Sequence, residues 1–336
     1  MPSLVEASGN GIGHGLTKMV PHICLPVGVA RYEKGNPHSA VPTCLDSSHE
    51  SSDNTALMTA PLTDPPPRSW PEVVGLIPAA GQAKRLQPFP CSKELFPVGF
   101  TKDPKTGMPR PKVASQYLLE KFKAAGVSKT FIVIREGKWD IPSYFQEGIG
   151  VGMSLAYLVI PGSLGPPDTL DRAYSFVSKY RVAFGFPDIL FGPPDAYRYL
   201  IEQQERTAAD VVLGLHRIED PRIWDMVDCD NEGWVRGIEM KPASTTLTFG
   251  WCFAVWTPVF SEFLHRFLHA DETKQSMGVL ANTSNDPGGD LAVGVVFQEA
   301  LKLGLRIQSV KFPHDRYLDI GTPDNLVKAV RQQTAE

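Results

Sequence analysis

Five cysteines are all that 336 residues provide (Cys24, Cys44, Cys91, Cys229 and Cys252), and no two of them form a CxxC pair. An odd, scattered set excludes a closed disulfide framework and a thiolate zinc site, so a reducing compartment is expected. No uninterrupted apolar run approaches the ~20 residues of a membrane span. A basic start followed by an apolar core is also missing, so no secretory signal is expected and the cytoplasm is the default. The 33 Lys and Arg do not outnumber the 37 Asp and Glu, and the formal charge of -4 argues against a general nucleic-acid binder. The phosphate-binding pattern G-x-x-x-x-G-K-[ST] does not occur, and no internal repeat is present.

What the chain does contain divides unevenly. Residues 1–70 are rich in Ser, Gly, Pro, Asn and His, with no sustained period of 3.6 or 2. Such a segment buries too little apolar surface to offset the entropy of ordering, so a disordered or non-domain extension is expected. Its histidines (His14, His22, His38 and His49) match no metal-site spacing. From Pro71 onward, apolar runs such as VVGLIPA, KTFIVIR, SLAYLVI, RVAFGF and ADVVLGLH alternate with helical stretches. KVASQYLLEKFKAAG, TLDRAYSFVSKY and DAYRYLIEQQER are examples of the latter. This alternation implies βαβ units and a mainly parallel sheet covered on both faces. IWDMVDCDNEGWVRGIEM reads as an antiparallel hairpin turning at DNEG. The last helix is expected to start at Thr322 as N-cap with Pro323 at its first position.

The segment AAGQAKRLQPFPCSKELFPV, residues 79–98, follows the first predicted strand and gathers three cations, Lys84, Arg85 and Lys93. In an open parallel sheet, ligands collect where strands end and loops begin. Gly81 lets backbone N–H groups approach an anion, and Arg85 offers a planar fork for phosphate oxygens. A triphosphate would satisfy this set. A solvated basic loop would have the same composition, and spacing alone leaves both readings open.

Four ordered motifs narrow the choice. Residues 79–85 and 92–98 stand as A-A-G-Q-A-K-R and S-K-E-L-F-P-V, FGFPDILF follows a central strand, DMVDCDNEGWVRGIEMKP forms the hairpin, and RYLDIGTPDNLVKAV comes near the end. Together they resemble the sugar-1-phosphate nucleotidyltransferases. The resemblance implies a three-layer, Rossmann-like α/β fold of the nucleotidyltransferase and GT-A type: a mainly parallel, mixed sheet with an antiparallel hairpin on the sugar side. It also implies that residues 71–336 form a catalytic domain. The reaction implied joins a nucleoside triphosphate to a sugar 1-phosphate and releases pyrophosphate, with Mg²⁺ as cofactor. A homo-oligomer is compatible with it.

Position by position, the resemblance puts Ala80, Gly81, Gln82, Lys84 and Arg85 at the nucleotide phosphates. Lys93 would lie between the α-phosphate and the sugar phosphate, and Asp188 and Asp319 would share the Mg²⁺. Arg172 falls where the family reads the base, and Glu239, Lys241 and Gly250 fall on the sugar side. Ala83 and Lys84 replace a glycine and a threonine of the family's loop, so another loop shape is expected there. Met240 replaces a glutamate that would meet sugar hydroxyls, and Arg172 replaces an amide. Both specificity pockets are therefore expected to differ from the family's.

Other readings compete. A non-catalytic sensor of a nucleotide or nucleotide sugar would keep the same fold. The D-x-D at Asp228 and Asp230 matches a metal-dependent glycosyltransferase, but it runs straight into a turn that favours Asp for local reasons. Cys91 reads as a loop filler rather than a nucleophile. His265 and His269, at i and i+4, read as a solvated helix face.

Overall fold

The structure is a computed structural model, and it describes residues 69–103, 106–270 and 291–333. The expectation for residues 1–70 therefore lies outside the described residues, apart from the last two positions. From there the chain runs through β1 (Val73–Ala79), the hairpin β2 (Pro97–Lys102) and β3 (Pro109–Val113), α1 (Ala114–Ala124), β4 (Lys129–Arg135), α2 (Asp140–Phe145) and β5 (Ser154–Ile160). It continues with α3 (Pro166–Asp171), α4 (Tyr174–Val177), β6 (Arg181–Gly185), β7 (Ile189–Phe191), α5 (Ala196–Thr207) and β8 (Val211–Arg217). The remainder is β9 (Met226–Cys229), β10 (Val235–Glu239), β11 (Phe249–Trp256), α6 (Pro258–His269), α7 (Val293–Lys302), β12 (Ile307–Phe312), β13 (Tyr317–Asp319) and α8 (Pro323–Gln333).

The main sheet is mixed. β5, β4, β1 and β6 lie side by side in parallel. β11 runs antiparallel to β6 and, along its other edge, to β8, which pairs in parallel with β12. The hairpin β9–β10 joins where Met226 meets Gly250. Two short ladders stand off this sheet, β2 with β3 and β13 with β7.

Alternation along the strands sorts side chains to two faces. Val74 and Leu76 of β1 enter one apolar layer with Leu170, Phe260 and Phe297. Ile77 and Ala79 enter the other with Leu119, Phe122 and Tyr197. Helices thus cover both faces and the architecture is three-layered. Gly75 shows how closely α1 is seated: a Cβ there would come within 2.4 Å of Thr130 Oγ1 and 2.8 Å of the Phe122 ring.

Two local readings are refined. TLDRAYSFVSKY folds as two short helices, α3 and α4, because the Ala173 N–H reaches back only three residues to the Leu170 carbonyl (3.1 Å). That tighter turn ends the α-helical run. The DNEG turn forms as expected, with Gly233 at φ 89° and the Asp230 carboxylate accepting from the N–H groups of Glu232 and Trp234 at 3.0 and 2.9 Å. Asp230 is thereby committed to the turn. Thr322 caps α8, its hydroxyl accepting from the Asn325 N–H at 3.4 Å.

Candidate active site

β1 delivers the chain to a loop at its carboxyl end. Ala80 is buried, while Gly81 is exposed, with no heavy atom within 4 Å of the place a Cβ would take. Ala83 adopts φ 51°, ψ 37°. The loop thus keeps a left-handed turn although the residue is not glycine, at a cost on the order of 1–2 kcal/mol. Lys84–Leu86 then form one 3₁₀ turn, closed by the Leu86 N–H on the Ala83 carbonyl (2.9 Å). Leu86 is buried and anchors the turn, leaving Lys84 and Arg85 exposed. The Gln82 carboxamide, oriented so that its oxygen accepts, lies against the guanidinium of Arg135 at the end of β4.

A second turn, Lys93–Leu95, is fixed from below. Ser92 donates its N–H and its hydroxyl to the two oxygens of Asp140, both at 2.7 Å. Beside it, the Lys93 ammonium pairs with the Asp188 carboxylate. Glu94 points the other way into the core, 1 % exposed, and takes two hydrogen bonds from Lys138 at 2.7 and 2.8 Å. Lys138 also donates to the Ala79 carbonyl at 2.7 Å. One ammonium therefore ties the end of β1, the Lys93 turn and the loop after β4 together.

Asp188 and Asp319 stand 131 positions apart in sequence, and the β7–β13 ladder brings them to one place. Asp319 lies opposite Ile189, the neighbour of Asp188, and the Ile320 N–H donates to the Asp188 carbonyl at 2.9 Å. The Asp319 carboxylate accepts from the Gly321 N–H at 2.7 Å, and its carbonyl from the Asn325 amide at 2.8 Å. Arg85 closes on the same spot. A Cβ at Gly321 would sit 2.9 Å from Asp319 Oδ1 and 3.2 Å from an Arg85 guanidinium nitrogen.

Electrostatics reflects this crowding. Burial and then the charge of Asp188 raise the Asp319 carboxyl above its ordinary range, opposed by the Gly321 N–H, Lys93 and Arg85. Burial works against the Asp188 carboxylate, but the charge and hydrogen bond of Lys93, with a backbone hydrogen bond and the charge of Lys138, outweigh it and shift Asp188 downward. Burial also works against the Lys93 ammonium, but Asp188, Glu94 and Asp319 jointly outweigh it and raise its pKa. The lysine stays charged. Glu94 is raised by burial, with Lys138 and Lys93 offsetting part of the effect. The Cys91 thiol is pushed up by burial and by Asp140 and Glu94, which suits a filler and not a nucleophile.

The structure thus brings Arg85, Lys93, Asp188 and Asp319 together, with Gly81 and Lys84 on the same loop. Arg172 is an exposed guanidinium at the end of α3, paired with Asp168 at 3.2 Å. Glu239 and Gly250 both lie opposite Met226 in β9 and form a separate group, with Lys241 following at φ 42°. Met240 packs against the apolar layer, which accounts for an apolar residue at that position.

Sequence reasoning passed over Glu94, Arg135, Lys138 and Asp140. The signal was available: REGKWD follows a parallel strand just as the first loop does, and charged residues at such a strand end are site candidates.

No protein-family model matches the chain, and no curated protein sequence matches it. Solved structures do. A protein described as a glucose-1-phosphate thymidylyltransferase from Bacillus anthracis, solved with a sucrose, superposes with a TM-score of 0.63 at 19% identity, over 78% of this chain and 95% of that one. A UDP-glucose pyrophosphorylase from Acinetobacter baumanii gives 0.61 at 17% identity, over 78% and 93%. A UDP-glucose pyrophosphorylase complexed with UDP-glucose gives 0.61 at 15% identity, over 78% and 98%. The chain has the fold of these nucleotidyltransferases, across nearly their whole length.

Proposed function

We propose that the chain joins a nucleoside triphosphate to a sugar 1-phosphate, giving a nucleotide sugar and pyrophosphate with Mg²⁺ as cofactor. The observation that carries this reading is the convergence of Lys93, Asp188, Asp319 and Arg85 beside an open, glycine-containing loop. In the reaction a sugar-phosphate oxygen forms a bond to the α-phosphorus as the bond to the β-phosphate oxygen breaks. Two anions must approach, so catalysis is mostly positioning and neutralisation of charge. Arg85, exposed and close enough to Asp319 for their charges to interact, takes the oxygens of the departing pyrophosphate. Lys93 keeps its proton and neutralises charge where the two phosphates meet. Glu94, Lys138, Ser92 and Asp140 hold the Lys93 turn rigid.

Mg²⁺ fits the donor set. Asp188 and Asp319 are the hard oxygen ligands it prefers, and the two carboxylates lie close enough for the charge of Asp188 to act on Asp319. Bound there, the ion would supply further charge neutralisation on phosphate oxygens.

Pyrophosphate release from each nucleoside triphosphate against a panel of sugar 1-phosphates, with Mg²⁺, tests the reading. Turnover with any pair supports it. Triphosphate binding without release from any pair would make the chain a sensor, and transfer from a ready-made nucleotide sugar would make it a glycosyltransferase.

A further inference from the structure

The histidines of α6 do not face solvent alone. His265 Nδ1 lies 2.9 Å from Asp171 Oδ1, and His269 Nε2 lies 3.0 Å from Asp171 Oδ2. Asp171 is the last residue of α3, so two helices contribute to the group. One donor atom from each of the three residues can be chosen so that all lie within 4.8 Å of one another. A tetrahedral ion with bonds of about 2.0–2.1 Å holds its ligands about 3.3 Å apart, so small rotations close the set.

We propose that Asp171, His265 and His269 bind one divalent transition-metal ion of the zinc class, which clamps α3 to α6. Two imidazoles one helical turn apart, completed by a carboxylate from another segment, form a nitrogen and oxygen donor set suited to such an ion and poorly suited to Mg²⁺. A supporting shell is present. The Tyr174 ring stacks on His265 at 3.9 Å with an interplanar angle of 3°, and the Tyr174 hydroxyl donates to Glu262. The ring that must present Nδ1 is therefore held in orientation, as metal-binding histidines usually are. Asp171 is shielded, its side chain 9 % exposed, whereas His269 is 56 % exposed and leaves an entry path. The site is separate from the Asp188–Asp319 pair and does not depend on the function proposed above.

The test uses the full chain, free of any affinity tag and dialysed against EDTA, titrated with Zn²⁺ and with Co²⁺. One equivalent of Zn²⁺ is expected by calorimetry and elemental analysis, with a rise of several degrees in the thermal midpoint. The Co²⁺ complex should show visible d–d bands without thiolate charge transfer, which excludes the cysteines as ligands. Asp171→Asn and His269→Gln should each weaken binding tenfold or more, and the double variant His265→Ala/His269→Ala should abolish the equivalent. Asp188→Asn should retain it, which separates this site from the phosphate cluster. Circular dichroism establishes that each variant is folded. Absence of a stoichiometric equivalent in the wild-type chain would overturn the proposal, as would unchanged affinity in the double variant.

Discussion

Lys138 and Glu94 form a buried, two-pronged ion pair, and the third Lys138 proton reaches the Ala79 carbonyl. Glu94 has no water to fall back on, whereas the Lys138 side chain stays partly exposed. Breaking such a pair by removing one partner is far more costly than replacing both, on the order of 3–5 kcal/mol.

The first prediction follows from that asymmetry. Lys138→Met should lower the urea unfolding free energy by about 3–5 kcal/mol, because Glu94 is left buried without its two hydrogen bonds from Lys138. The double variant Lys138→Met/Glu94→Leu should recover a large part of the loss. Equal midpoints for wild type and Lys138→Met would show that the pair is not buried in solution.

Asp188→Asn and Asp319→Asn should each reduce turnover by roughly 10²-fold or more while leaving the chain folded. Asp319→Asn should also shift the Mg²⁺ requirement to higher concentration. Initial rates over a magnesium series measure both effects. Near-normal rates at saturating metal in either variant would remove that residue from the ligand set.

The three cations should separate in kinetics. Arg85→Ala should weaken triphosphate binding as well as rate. Lys93→Ala should lower kcat more than it raises KM, since its contact strengthens as the phosphates close. Lys84 is exposed, so Lys84→Ala should cost least and be the most sensitive to salt. Should calorimetry show wild-type triphosphate affinity for both Arg85→Ala and Lys93→Ala, with turnover unchanged, the loop is only a solvated basic turn.

Acid stability offers a fourth measurement. His216 is fully buried against Phe191, Phe253 and Phe312, and burial lowers its pKa from 6.5 to about 4. The unfolded chain takes up this proton first, so the stabilising effect is complete above pH 6.5 and is lost as pH falls towards 4. The loss amounts to roughly 3 kcal/mol. In His216→Phe this part of the acid limb should vanish from denaturant midpoints measured between pH 7 and 4. An unchanged limb would assign it to other groups.

Much of the fold was legible because its strands are compact, β-branched runs bounded by turn residues, as in KTFIVIR and ADVVLGLH. The candidate site was less so. Asp188 and Asp319 could be paired only through family resemblance, since their meeting depends on three-residue strands too short to show a period. Glu94 and Lys138, 44 positions apart, carry no pattern that marks them as partners. The Asp171 contact with the α6 histidines was hidden for the same reason: the i, i+4 spacing is visible, but the residue facing it comes from 94 and 98 positions away.

The β7–β13 ladder also gives the site a timetable. During synthesis at about 5–20 residues per second, Asp188 leaves the ribosome roughly 7–26 s before Asp319. β6, which leads to Asp188, and the parallel strands β1 and β4 beyond it all precede Asp188, so that half of the sheet can form while its later partner is still unmade. Throughout that interval Lys93 and Lys138, both made earlier, are ammonium groups whose charges reach the Asp188 carboxylate. The pair of Lys93 with Asp188 can thus form before Asp319 exists, so the buried carboxylate need not stand as a bare charge. The two-carboxylate cluster is complete only when β13 zips onto β7.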